Sequence, residues 1–271
     1  MTTTPDFPSG SGDDSGMSFA DERARMEKAI DELDLPAARK RAAKKQIRAV
    51  ITIASKRAKR EVPVGASRFG GRPDLPPGVE WPRAGQKYPM TFVAQFDLGE
   101  LAPFDVDRAL PKAGMLSFFV HDYLPKKVSE PETYSEHAVL FFPKKELVRA
   151  PLPKDFGKRE PWLDATLAFE THVMMPSPYC GHEIIVDPNA LAAPAKKKTR
   201  TPRPAGLLLG YDCHFGYDHP LDGDTRPIFL CTSDPHSEMN YGDAQDISFR
   251  IRDDDLARAR FDRATLWIQA C

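Results

Sequence analysis

Cysteine is scarce in this sequence, with four residues among 271. A disulfide scaffold, which small secreted chains use in place of a large core, is therefore excluded. An excess of charge is lacking too, because 38 Lys and Arg residues face 39 Asp and Glu residues and leave a net charge of −1. That balance excludes a basic field over the whole surface, of the kind that drives nonspecific binding to nucleic acids.

Long apolar runs and a targeting segment are also missing. No stretch approaches the ~18 consecutive apolar residues that indicate a membrane-spanning helix, so no membrane partner is expected. Residues 1–17 are rich in Ser, Gly, Pro, Thr and Asp, and they lack the basic start and apolar centre of a secretory peptide. We therefore expect a disordered tail at 1–17 and a cytoplasmic protein.

Proline, in contrast, is abundant. The 26 prolines are about twice the usual share, which favours short strands and turns over a helix bundle. Apolar residues make up 41% of the chain, which is enough to supply a core and to exclude global disorder. The composition thus predicts an α+β or mostly β protein.

Two helices are predicted within residues 18–61. Ser18 and Asp21 have the spacing of a capping box, which predicts a helix over 19–33. Pro36 suits the start of a second helix, and this helix is predicted over 36–60 because apolar residues recur there at helical spacing. The apolar stripe consists of Ala43, Ile47, Val50, Ile51, Ala54 and Ala58.

The opposite face of this second helix is basic. It carries cations and no acid: Arg39, Lys40, Arg41, Lys44, Lys45, Arg48, Lys56, Arg57, Lys59 and Arg60. One interpretation is a surface for nucleic acid, for an anionic surface or for an acidic partner. The other is a solvated outer face whose apolar stripe docks on the body of the protein. We favour the second interpretation because the stripe is narrow, rich in Ala and without Trp or Phe.

Beyond Glu61 short apolar runs alternate with Pro and Gly. Strands are predicted over 88–97, 114–121, 137–142, 226–231, 247–251 and 264–270. Three acids at 253–255 favour a short helix before the last strand, because carboxylates stabilise a helix N-terminus. Residues 192–204 are basic and rich in proline, which is typical of a surface loop.

The segment from Ser67 to Pro76, followed by Trp81-Pro82, combines adjacent glycines with several prolines. Gly70 and Gly71 permit a backbone that other residues rarely adopt, while the prolines restrict φ nearby. We expect a rigid turn that presents Arg68, Asp74 and Trp81. An F-x-A-Q strand that contains Gln95 follows, and then an L-P-x-x-G-x-L-x-F-F strand that begins at Leu110.

This order of motifs resembles the YwqG-like family of bacterial domains of unknown function. Two later elements also match, Leu208-Leu209-Gly210-Tyr211 and Gly242-Asp243-Ala244. The resemblance implies a single compact α+β domain of mixed and antiparallel sheets over residues 62–271, placed after the N-terminal helical segment. It brings no established reaction, and no cofactor is predicted.

Cysteine and histidine concentrate between residues 172 and 236. The candidates with the best spacing for a metal site are Cys180, His182, Cys213 and His214. They support an alternative function, a small-ligand-binding or metal-dependent enzyme. Because the chain has neither a C-x-x-C nor an H-E-x-x-H motif and isolated cysteines are usually buried apolar residues, we do not predict a metal site.

The polar residues of the family motifs are the better candidates for a site. They are Arg68, Gly70, Gly71, Asp74, Trp81, Gln95 and Asp243. Arg and Trp are frequent hot-spot residues of protein interfaces, whereas Gln95 and Asp243 are equally explained as a buried amide and a turn residue. The sequence thus favours a noncatalytic protein-binding module, with an immunity-like or stress-associated role by analogy. Nucleic-acid binding through 36–60 is the second alternative.

Overall fold

A curved ten-stranded antiparallel sheet forms the body of the protein. The computed structural model describes residues 17–121, 136–143, 146–156, 160–176, 185–186, 204–211, 225–241 and 244–270. In chain order the helices are α1 (Phe19–Glu32), α2 (Ala37–Lys45), α3 (Leu98–Leu101) and α4 (Asp253–Ala257), and a 3₁₀ helix covers Phe261–Arg263.

Strand length varies widely across the large sheet, from two residues to ten. They are β1 (Arg48–Arg57), β2 (Arg68–Phe69), β3 (Asp74–Leu75), β4 (Arg83–Ala84), β5 (Tyr88–Pro89), β6 (Thr91–Asp97), β7 (Met115–Val120), β8 (His137–Phe142), β9 (Val148–Arg149), β10 (Ala165–Met174), β11 (Gly206–Leu209), β12 (Thr225–Thr232), β13 (Ala244–Arg252) and β14 (Thr265–Ala270). The large sheet has the order β14-β13-β12-β11-β1-β10-β2-β6-β7-β8, and β3-β9 and β4-β5 form two small sheets.

The sheet curls until its two ends approach each other. In β8, the Nε2 atom of His137 lies 2.8 Å from the carbonyl oxygen of Ala264, just before β14. The rings of Phe141 and Phe261 contact each other with centroids 5.1 Å apart. The arrangement is therefore close to a barrel, and its concave interior is filled by buried aromatic side chains. These are Phe69, Phe96, Phe118, Phe229 and Phe249.

Sheet outweighs helix in this architecture. The α+β prediction is correct in that the domain contains both, but the helices are few and the fold is mostly β. Mixed or antiparallel sheets were expected, and every strand pair in the described part of the chain is antiparallel. No helix among these residues is both long and apolar enough to cross a membrane.

The helix predicted over 36–60 is wrong beyond Lys45. Helix α2 ends there, and residues 48–57 form β1, which pairs with β10 on one side and β11 on the other. Val50, Ile51 and Ile53 are β-branched, which favours strand over helix, and all three are buried. Both faces of the strand are covered here, so apolar residues occur at successive positions. Some of these positions match helical spacing by coincidence.

The single basic face therefore does not exist. Lys40 and Lys44 on α2 bind Asp31, through its carbonyl oxygen at 2.6 Å and its carboxylate at 2.7 Å. Arg57, at the end of β1, forms an ion pair with Glu238. The cations that suggested a surface for nucleic acid are thus divided between a helix and a strand, and several are engaged within the chain.

Most other local predictions are confirmed. The Ser18 hydroxyl donates to Asp21 at 2.7 Å and accepts the Asp21 N–H at 3.2 Å, which begins α1 as a capping box does. The strands predicted from 114 onward match β7, β8, β12, β13 and β14 within a few residues, and the three acids occupy the first turn of α4. The strand predicted over 88–97 is divided into β5 and β6. Residues 192–203 of the predicted basic loop lie outside the described residues.

Candidate functional site

The Gly70-Gly71 turn lies among the polar residues that the sequence motifs single out. Gly70 and Gly71 have φ values of 64° and 71°, which disfavour any side chain. A Cβ on Gly70 would lie 2.2 Å from the carbonyl oxygen of Leu163, and a Cβ on Gly71 would lie 2.1 Å from Oδ1 of Asp164. The chain therefore reverses tightly against the segment before β10 and directs β3 back toward β2.

Arg68 and Asp74, on opposite sides of this turn, form a buried ion pair. Arg68 Nη1 donates to Asp74 Oδ2 at 2.8 Å, and both side chains are fully buried. Arg68 Nη2 donates to the carbonyl oxygen of Arg72. Arg68 Nε lies 3.4 Å from Oδ1 of Asp164, which gives the guanidinium a second anionic neighbour.

Gln95 connects this ion pair to the large sheet. The β2–β6 register places Gln95 opposite Arg68. The Gln95 Oε1 atom accepts the Asp74 N–H at 2.9 Å, while Nε2 donates to Asp74 Oδ2 at 2.7 Å and to the carbonyl oxygen of Ala66 at 2.9 Å. The side chain is fully buried, so Gln95 is an interior hydrogen-bonding residue that links Asp74 of β3 to the loop before β2.

Arg149 completes the cluster, and sequence reasoning missed it. The β3–β9 register places Arg149 opposite Asp74. Arg149 Nε donates to Asp74 Oδ1 at 2.6 Å, and Nη2 donates to the carbonyl oxygen of Val62 at 2.7 Å. A two-residue strand carries no periodicity, so only its pairing with β3 reveals the role of Arg149. We call Arg68, Asp74, Gln95 and Arg149 the buried network.

Opposing effects set the protonation of the buried network. Burial alone would raise the pKa of Asp74, but the hydrogen bond and charge of Arg68, with the hydrogen bonds from Arg149 and the Gly65 N–H, outweigh it and lower the pKa to about 2. Burial lowers the pKa of Arg68, against the attraction of Asp74. Burial also raises the pKa of Asp164, against the attraction of Arg68. Asp74 is thus a carboxylate throughout the neutral range.

The buried network binds the loop Pro63–Ala66, which borders a surface groove of about 580 Å³. Besides the N–H···O bond from Gln95 to Ala66, the N–H of Gly65 donates to Asp74 Oδ2 at 2.8 Å. The groove is lined by Pro63, Val64, Gly65, Ala66, Asp97, Glu100 and Leu147, and we call it the 63–66 groove. Val64 is 51% exposed there.

Two carboxylates form the acidic side of the 63–66 groove. Glu100 Oε2 accepts the N–H of Ser67 at 3.1 Å, and Asp97 Oδ1 accepts the N–H of Gly99 at 2.7 Å as the cap of α3. These bonds fix the position of the acids next to the apolar side chains of Val64 and Leu147. The groove therefore offers an apolar contact and negative charge side by side.

Trp81 lies apart from this groove in a second apolar cluster. It is only 7% exposed, and its Nε1 donates to the carbonyl oxygen of Met90 at 2.7 Å. Its ring contacts Phe119 and Phe156 with centroids 6.3 and 5.8 Å away. The expected turn therefore forms but does not present Arg68, Asp74 and Trp81 to solvent. Their assignment as binding residues stays a prediction, and Asp243 lies outside the described residues.

The metal candidates Cys180, His182, Cys213 and His214 also lie outside the described residues. Within the residues that the structure describes, no group of His, Cys, Asp and Glu is arranged to bind a metal ion. His172 Nδ1 lies 2.9 Å from Glu22 of α1. Cys231 is buried and accepts the Tyr241 hydroxyl at 3.3 Å, and burial raises the pKa of its thiol. Cys231 is thus a buried neutral thiol.

Comparison with known families gives one match. A family profile described as a domain of unknown function, DUF1963, matches residues 67–271. No curated protein sequence matches the chain. The matched range begins at the residue before Arg68 and includes the turn, β3, Gln95 and Arg149, whereas β1 precedes it. Since the match covers well over half of the sequence, the chain belongs to the DUF1963 family of domains of unknown function.

Proposed function

We propose that this domain is a noncatalytic binding module that accepts a segment of a partner protein in the 63–66 groove. The observation that carries the proposal is the direct attachment of an exposed loop to a buried ion-pair network. Gly65 and Ala66 each form a hydrogen bond with the network at 2.8 and 2.9 Å. Between Pro63 and Ala66, Val64 remains exposed to solvent.

The energetics of buried charge support a positioning role. Arg68 and Asp74 are fully buried, and the desolvation of such a pair often exceeds its coulombic attraction, so an apolar pair of similar volume would serve stability as well or better. A network of this kind instead fixes the geometry of the groups that it binds. A loop with a fixed conformation loses less entropy when it binds a partner, which favours affinity.

The chemistry of the groove defines the partner. Val64 and Leu147 provide apolar surface, and Asp97 and Glu100 provide negative charge beside it. A partner segment with an apolar side chain next to Lys or Arg complements both features, and complementary charge also accelerates encounter. We include an immunity-like or stress-associated role in the same proposal. Identification of the partner protein decides between these two roles.

Site-specific photo-crosslinking in cells tests this proposal. A photo-reactive amino acid at position 64 is expected to give one dominant protein adduct, whereas the same probe at Val106, another exposed valine, is not. Glu100→Gln retains an acceptor for the Ser67 N–H but removes the charge, so it should weaken the adduct at position 64. The absence of an adduct, identical adducts at positions 64 and 106, or no effect of Glu100→Gln would contradict the proposal.

A further inference from the structure

A basic segment precedes the acidic 63–66 groove along the chain. The segment 56–60, which we call the basic run, carries four exposed cations: Lys56, Arg57, Lys59 and Arg60. Pro63, the first residue of the groove, follows Arg60 by three positions, which the chain spans in at most about 11 Å. Positive charge and the acidic groove are therefore neighbours on the surface of one molecule.

Backbone contacts hold the basic run and the groove in a fixed relation. The N–H of Ala58 donates to the carbonyl oxygen of Asp164 at 2.9 Å. Four residues later, the carbonyl oxygen of Val62 accepts from Arg149 Nη2 at 2.7 Å, and Arg149 belongs to the buried network. Glu61 Oε1 lies 3.5 Å from Arg149 Nη1. The chain thus presents the two opposite charges at set positions on either side of residues 61–62.

The opposite charges are not paired with each other within one chain. Arg57 forms an ion pair with Glu238, whereas Lys59 and Arg60 form no ion pair among the residues that the structure describes. Glu100 of the groove accepts a neutral donor, the N–H of Ser67, at 3.1 Å. The cations of the basic run and the carboxylate of Glu100 are therefore available to a second molecule.

A surface with adjacent basic and acidic parts is complementary to a second copy of itself. In a two-fold dimer the basic run of each copy faces the groove of the other, so every contact forms twice. The axis passes near residues 61–62, between the two parts. Val64 in the groove and Val148, next to the groove residue Leu147, are both exposed and add apolar contact. The net charge of −1 leaves little repulsion between copies.

We propose that the partner segment in the 63–66 groove is the basic run of a second copy of this chain, so that two copies form a closed dimer. This inference rests on the proposed function, because it names the partner of the same groove. Lys59 and Arg60 of each copy lie against Glu100 of the other. Complementary charge fixes the orientation of the two copies and accelerates their encounter.

Reversal of charge on the purified full chain tests the proposal. Sedimentation velocity at concentrations up to about 0.1 mM should show a dimer that weakens in high salt, because salt screens exposed charges. Arg60→Glu and Glu100→Lys should each raise the dissociation constant about tenfold or more, since each places like charges at both contacts. The two variants mixed in equal amounts should dimerise again, because both contacts then join opposite charges. Arg41→Glu, at an exposed position of α2, should dimerise as the wild type does.

The proposal is overturned by a chain that stays monomeric over this range, by a dimer that Arg60→Glu leaves unchanged, or by a mixture that stays monomeric. Circular dichroism establishes that each variant is folded. If Glu100→Lys does not fold, Glu100→Gln, which retains an acceptor for the Ser67 N–H, replaces it and must weaken the wild-type dimer.

The photo-reactive probe at position 64 separates this inference from the proposed function. An adduct with the mass of two chains supports both. An adduct with a different protein, together with a monomeric purified chain, rejects the second copy as partner and retains the groove as a binding site. The absence of any adduct rejects both.

Discussion

Arg68 Nη1 and Asp74 Oδ2 are 2.8 Å apart, and neither side chain has any contact with solvent. The five residues between them hold the Gly70-Gly71 turn, so a local loop closes a fully buried ion pair. The same carboxylate accepts from Gly65, Gln95 and Arg149. Asp74 is thus the centre on which the 63–66 loop, the large sheet and β9 converge.

Asp74→Asn should destabilise the domain strongly. It removes the carboxylate charge that the guanidinium groups of Arg68 and Arg149 share at 2.8 and 2.6 Å, and breaking a buried pair in this way costs about 3–5 kcal/mol. Urea unfolding measures the loss. The control is Asp155→Asn, which breaks the exposed bidentate pair with Arg83 and should change the unfolding midpoint very little. Equal effects of the two substitutions would contradict the role assigned to Asp74.

Stability should fall in acid because of Asp74. Its pKa is about 2 in the folded protein against an ordinary value of 3.8. Ionised Asp74 therefore contributes about 2 kcal/mol to the free energy of unfolding, and this contribution is complete at pH values above the ordinary pKa. That contribution disappears as the pH falls from about 4 to 2. The free energy of unfolding between pH 5 and pH 2 should therefore fall more steeply for the wild type than for Asp74→Asn. Parallel curves would refute the prediction.

Gly70→Ala should be far more destabilising than Gly65→Ala. Both glycines have positive φ, 64° and 86°, and a side chain there costs about 1–2 kcal/mol. At Gly70 the new Cβ would also meet the backbone oxygen of Leu163 at 2.2 Å, whereas at Gly65 nothing lies within 4 Å. The difference in melting temperature between the two variants measures the effect of the close contact between the Gly70 position and Leu163. Equal melting temperatures would show that the turn is not in contact with Leu163.

The fragment 62–271 should not fold as the whole chain does, although it contains the entire family match. It lacks β1, which lies between β10 and β11, so both would lose a neighbour and expose buried apolar residues. The fragment 46–271 retains β1 and should keep a dispersed NMR spectrum. A well-dispersed spectrum from 62–271 would show that β1 is dispensable.

The sequence predicted what depends on neighbouring residues. The Ser18 cap, the short helix that begins with the acids at 253–255 and most strands follow from local patterns, and the structure confirms them. The sequence-based prediction of secondary structure failed at β1, because a strand covered on both faces has no period-two alternation to distinguish it from a buried helix. The second face of β1 is buried by contacts with β10 and β11. These strands are distant in sequence, so the spacing of residues within β1 does not report such contacts.

The site was predicted in part for the same reason. Arg68, Asp74 and Gln95 stood out because they lie in dense motifs, and the structure brings these three together. A buried amide was one of the two explanations for Gln95, but the burial of Arg68 and Asp74 was not foreseen, since a motif does not indicate which side of a turn faces water. Arg149 lies 75 residues from Asp74 and carries no motif, so only the pairing of β3 with β9 reveals it. The groove itself depends on Leu147 and α3, which are distant in sequence.

The central claim is that the buried network fixes the loop of the 63–66 groove, and amide hydrogen exchange at Gly65 tests it most directly. The Gly65 N–H donates to Asp74 Oδ2 at 2.8 Å, although the neighbouring Val64 is exposed. The account predicts exchange at Gly65 much slower than at Gly78, a turn glycine whose amide has no hydrogen bond among the described residues. Equally fast exchange at Gly65 and Gly78 would show that the loop is not held, and would contradict the account.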